Sequence, residues 1–166
     1  MSTHLFVVGT LCLLVPTVIL LFSLRWGRAA FAHDYPEDIR AALPAFDDAE
    51  VARGRVLGPV FLLALLAAVG TTTWSWLHQN PDHHYGHAYL MALATYILFA
   101  LIDLIIVDWL IVCAWRPRWV MIPGTENAEG WGDYAFHLRV LLSAKALITT
   151  LAIPAVVAGI AIAIPH

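Results

Sequence analysis

YLMALATYILFALIDLIIVDWLIVCAW, residues 89–115, is the stretch that decides the fold. It is long enough to cross a hydrocarbon core, which takes about 20 helical residues. Its only charged side chains are Asp103 and Asp108. A carboxylate deep in a bilayer costs at least about 2.5 kcal/mol, so it normally faces protein or water and has a partner.

Three further apolar runs match it in length: Leu5 to Leu24, Val56 to Leu77 and Val140 to Ile164. The composition, 61% hydrophobic and 13% charged, lies outside the soluble range and inside the polytopic membrane class. The expected fold is therefore all-α: a single membrane domain over residues 1–166, a four-transmembrane-helix bundle with spans at 5–24, 56–77, 89–115 and 140–164. The first run reads as a retained span. No Lys or Arg precedes it, Arg25 and Arg28 follow it, and it is too long for a usual signal-peptide core, although Ala30-Phe31-Ala32 resembles a cleavage site.

The nine basic residues fix the expected orientation. Arg25, Arg28, Arg40, Arg53 and Arg55 fall in the first connection, 25–55, and Arg116, Arg118, Arg139 and Lys145 in or beside the third, 116–139. By the positive-inside rule both connections are cytoplasmic, and the termini and the short connection 78–88 face outward. Trp74, Trp76, Tyr85 and Tyr89 at the outer boundary, with Trp26, Trp115 and Trp119 at the inner one, suit interfacial aromatic belts. The net charge of -3 comes with no basic patch, so nucleic acid is not an expected partner; the lipid bilayer is.

In the first connection Pro36, Glu37 and Asp38 predict a short helix ending near Leu43 before Pro44. Asp47 or Asp48 then caps a helix that runs through Arg53 and Arg55 into the second span, with a slight bend at Pro59. Pro117, Pro123-Gly124, Gly130 and Gly132 make the third connection read as irregular. In the fourth span Ala155, Gly159 and Ala163 recur at the small-xxx-small spacing of close helix packing. Ordinary packing within the bundle is the simpler reading, and a homo-oligomer face is the alternative.

Depth along the helices, at about 1.5 Å per residue, sets Asp108 roughly 10 Å inside the end at Trp115. Lys145 comes out roughly 12 Å inside a helix counted from His137. This predicts an Asp108–Lys145 ion pair, with Ser143 and Tyr134 as further donors. Asp103 lies about 7.5 Å deeper, level with Thr149 and Thr150, and five α-helical positions turn it about 140° away from Asp108. Asp103, Asp108, Lys145 and Thr149 are the expected intramembrane polar site.

A second set surrounds the cytoplasmic mouth: His33, Asp34, Arg116, Arg118, Glu126, Asp133, His137 and Arg139. The spacing of Asp133 and His137 puts both on one helix face. Asp108, Glu126 and His137 are candidate ligands for a divalent metal, against the simpler reading of solvated loop charges and one capping acid. Six of the eight histidines lie outside on this topology, and His78, His83 and His87 are the alternative metal set. A polar, pH-responsive loop is the simpler account of that cluster. Cys12 and Cys113 belong near opposite faces, which excludes a structural disulfide between them. No Walker loop, nucleophile elbow, CxxCH or HExxH occurs.

Asp34-Tyr35-Pro36, Asp103 with Asp108-Trp109, Pro123-Gly124-Thr125-Glu126, and Asp133-Tyr134 with Phe136-His137 come in the order and arrangement of a known group. In these the chain resembles a family of small uncharacterised four-span bacterial inner-membrane proteins. The resemblance implies a multi-pass protein of the bacterial inner membrane and carries no activity, substrate or cofactor. The outer histidine cluster is no part of it. From the residues themselves, two acids at two depths beneath an acidic mouth point to ion- or proton-coupled transport or conduction. The alternatives are a metal-dependent membrane-embedded enzyme acting on a lipid or phosphate-bearing substrate at the cytoplasmic leaflet, and a structural subunit of a larger membrane complex.

Overall fold

The computed structural model of the chain describes residues 1–82 and 84–164. It is all-α, with no strand among the described residues. Four helices are long and apolar enough to cross a membrane: Ser2–Trp26, Asp48–His78, Tyr85–Trp115 and Ala144–Ala163. The chain is thus a multi-pass membrane protein, and large side chains such as Phe6, Leu63, Leu110 and Ile148 are exposed along its helices, as a lipid solvent allows.

The local signals in the first connection act as expected. A short helix spans Glu37–Ala41, and the Asp47 carboxylate accepts from Glu50 N at 2.6 Å, capping the helix that runs from Asp48 through Pro59 to His78. The third connection is more ordered than its prolines and glycines imply. A 3-10 turn covers Glu129–Gly132 and an amphipathic helix covers Tyr134–Leu141. The fourth span then starts afresh at Ala144, because Ser143 caps it by accepting from Ala146 N at 3.2 Å. Lys145 therefore lies in the first turn of its helix instead of deep inside a span counted from His137.

The third span has two geometries. Tyr85–Ile102 is α-helical, whereas Asp103–Trp115 is a π-helix. It closes with an i→i+5 bond from Arg116 N to Ile111 O at 2.9 Å, and Arg116 itself is left-handed (φ 48°). The five residues Leu5–Gly9 of the first span are also π-helical.

By compactness the chain divides into two units. The first unit comprises Met1–Thr17, Leu62–Leu101 and Leu142–His166. Within it Leu65, Val69, Met91, Ala92, Val157 and Ala158 are buried. The buried hydroxyls of Thr72, Thr73 and Thr95 each donate at 2.8 Å to a carbonyl four residues back in their own helix. His4 stands 3.0 Å from Ser75 Oγ, and the Tyr85 hydroxyl donates to Ala155 O at 3.0 Å. The fourth span buries Pro154, Val157, Ala158 and Ala161, while Gly159 and Ala163 of the small-residue stripe are exposed.

The second unit comprises Val18–Phe61 and Ile102–Leu141. Gly54 lets its helix approach the backbone of the Arg28–Asp34 segment: a Cβ there would stand 2.8 Å from Ala30 N. Arg53 Nε donates to Trp26 O at 3.0 Å beside it. Gly130 is equally constrained, since a Cβ would run into Asp38 and Pro36. Cys12 and Cys113 are free thiols.

Candidate functional site

In a π-helix the hydrogen bonds join residues five apart, so such residues stack one turn above the other. Asp103 and Asp108 are five apart. The α-helical expectation of a wide angle between them is therefore corrected: the π-helical backbone turns both carboxyl groups to one side, and both line one cavity of about 340 Å³ in the second unit. Asp34, Tyr35 and His137 supply the rest of its polar lining. Phe31, Phe61 and Phe136 are its other aromatic walls, with Leu20, Val107 and Val140 among the aliphatic ones.

His137 Nδ1 stands 3.1 Å from Asp108 Oδ2, with 11% and 25% of the two side chains exposed. Within its own unit the partner of Asp108 is thus a histidine, where the sequence suggested Lys145. Asp108 has an imidazole as partner, and Lys145 is an exposed residue at the start of its helix. The helix Tyr134–Leu141 that presents His137 is held to the third span by Trp109, whose Nε1 donates to Tyr134 O at 3.2 Å. The rings of Trp109 and Tyr134 meet edge to face at 6.1 Å. Thr149 donates within its own helix, to Lys145 O and Ala146 O.

Tyr35 is the group that residue-by-residue reading missed. Only 7% of it is exposed, and its hydroxyl is buried with no hydrogen-bond partner among the described residues. Burial pushes the phenol from 10.0 up to about 12; nearby Arg28 opposes the rise, and Asp34 and Asp108 add to it. The Arg28 Nε is likewise buried without a hydrogen-bond partner among the described residues. An Asp-Tyr-Pro sequence before a short helix offered one available signal, an aromatic held next to a rigid turn.

The remaining mouth residues build the support for Tyr35. Its ring packs edge to face on Trp131 at 5.6 Å. Trp131 is 1% exposed and donates to Thr125 O at 2.9 Å, and Thr125 Oγ1 donates to Ile122 O at 2.7 Å. Glu126 closes this turn by accepting from Gly124 N at 2.8 Å. Asp38 accepts from Gly130 N at 2.7 Å, tying the 3-10 turn to the start of the short helix Glu37–Ala41. Arg116 caps the third span by donating to Cys113 O at 2.7 Å, as a cation at a helix C-terminus should.

Asp133 caps the next helix through Phe136 N at 2.9 Å and pairs with Arg139 at 3.1 Å. It is thus a structural residue, whereas His137 belongs to the cavity.

The inner metal set does not assemble as expected. Among the described residues no three His, Cys, Asp or Glu side chains converge as ligands, so Asp108, Glu126 and His137 do not form a trio. His78 stacks on Trp74 at 5.6 Å and the His87 ring lies 6.4 Å from that of Trp76, while His83 lies outside the described residues. No protein-family model, no curated protein and no solved structure matches the chain.

Proposed function

We propose that this chain is a bacterial inner-membrane protein, with both termini outside, that carries protons or a cation coupled to protons through the cavity at Asp103 and Asp108. The observation that carries the reading is the π-helical stacking of the two acids into one cavity, with His137 on Asp108. Two carboxyl groups and an imidazole within one apolar pocket can hold and exchange a proton without exposing an unpaired charge to lipid. The rival enzymatic reading needs ligands for a divalent metal and an arginine clamp for an anion. Arg116 serves as a helix cap, Arg139 is paired with Asp133 and Glu126 closes its own turn, so these three groups are engaged in holding the loop.

Reconstitution into vesicles loaded with a pH-sensitive dye tests the proposal. An imposed pH gradient should relax through the parent protein and not through Asp103→Asn, with Lys145→Gln behaving as the parent. Equal rates in the parent and Asp103→Asn, or no flux in the parent, would sink it.

A further inference from the structure

We infer that the cavity is a binding site for a monovalent organic cation with apolar substituents, the ammonium class, and that this is the ion moved by the proton-coupled process proposed above. The inference rests on that reading for the movement but not for the binding.

Three features of the lining select the ligand. Its ionisable lining groups are Asp34, Asp103, Asp108 and His137 with Tyr35; with Arg28 as a cation near Tyr35, the carboxyl groups still outnumber it and an anion is disfavoured. Phe31 and Phe61, edge to face at 6.2 Å, and Phe136 offer aromatic surface, which attracts a weakly hydrated cation through the ring quadrupole. A small inorganic ion needs a shell of converging ligands, and among the described residues no three His, Cys, Asp or Glu side chains converge as one. A volume of about 340 Å³ lies in the range of small-molecule sites, which are mostly apolar with a few placed polar groups.

The independent sign of a ligand is Tyr35. Its hydroxyl is more than nine-tenths buried, belongs to a residue lining the cavity and has no partner among the described residues. Buried hydroxyls are rarely left unbonded. An alkylammonium N–H, or a polar group carried by the cation, would satisfy that oxygen while the carboxyl groups balance the charge. A metal site would leave the aromatic walls without a role, and a lipid chain alone would leave the acids and the phenol without one.

Isothermal titration of the purified full chain in neutral detergent at pH 7 with benzylammonium, whose N–H groups can reach the Tyr35 oxygen, against benzenesulfonate as the oppositely charged probe of similar size, tests this directly. The ammonium should bind saturably and the sulfonate should not. Asp103→Asn should weaken ammonium binding by about tenfold or more, and Phe61→Leu, which keeps an apolar wall and removes the ring, by a few-fold. Equal binding of the two probes, absence of ammonium binding, or ammonium affinity unchanged in both variants overturns the inference. Proton flux in vesicles without ammonium binding overturns the inference and leaves the proton reading standing. Ammonium binding that is sensitive to both variants, in a protein without flux, supports the site and removes the transport reading.

Discussion

The buried threonines of the first compact unit and the cavity region of the second handle polar groups in different ways. In the first, buried hydroxyls are answered locally: Thr72, Thr73 and Thr95 return their protons to carbonyls of their own helices. Its large groove, about 750 Å³ between residues such as Leu66, Gly70, Val156 and Ile160, is almost wholly apolar. In the second, Ser23 and Thr125 are also answered locally, but other polar groups need residues distant in sequence. Asp108 needs His137, Gly130 N needs Asp38, and the Tyr35 hydroxyl has no partner in the described residues. A helix whose polar atoms bond to itself can pack anywhere in lipid. Groups that depend on distant residues fix one arrangement and define a site.

The largest effect that sharpens this contrast is expected at Trp131. Trp131→Ala removes a ring that is 1% exposed, together with its bonds to Thr125, and should cost about 3–5 kcal/mol. Equilibrium unfolding in mixed micelles measures it, and a loss below about 1 kcal/mol would mean the loop is not the support of Tyr35.

A smaller, paired effect separates the units. His137→Ala strands Asp108 and should cost about 2 kcal/mol. Thr95→Val removes a hydroxyl that bonds only within its helix and should stay within about 1 kcal/mol. Equal costs in the same unfolding assay would break the comparison.

The smallest effect is spectroscopic. The phenolate absorbance step lost in Tyr35→Phe should lie near pH 12 and not near 10. Below pH 10 the phenol keeps its proton folded or unfolded, so no stability depends on it. Between about 10 and 12 only the unfolded chain releases it, so Tyr35 lowers stability as pH rises through that window. A step near pH 10 would mean the ring is solvated.

Much of this was legible in the residues. Run length and charge placement identify the spans, and Asp47 and Pro36 mark helix starts, because hydropathy and capping act locally. Asp103, Asp108, Asp34 and His137 stand out as ionisable groups in or beside apolar runs. The pairing was not legible, for two reasons. A π-helix and an α-helix of the same apolar residues differ by one hydrogen-bond step that composition does not encode, so the side on which Asp103 projects follows from backbone geometry alone. Ser143, hidden in an apolar run, ends one helix and starts the next, which moves Lys145 to a helix start and hands Asp108 to His137. The aromatic walls escaped notice because Phe and Tyr in a membrane chain are ordinary until the fold collects them.

The break at Ser143 has a mechanical consequence. The helix that carries His137 is only eight residues long, is secured at its start by the Asp133 cap, and ends before the fourth span begins under a cap of its own. The imidazole that meets Asp108 thus rides on two turns of helix with ends of their own, and not on a membrane span.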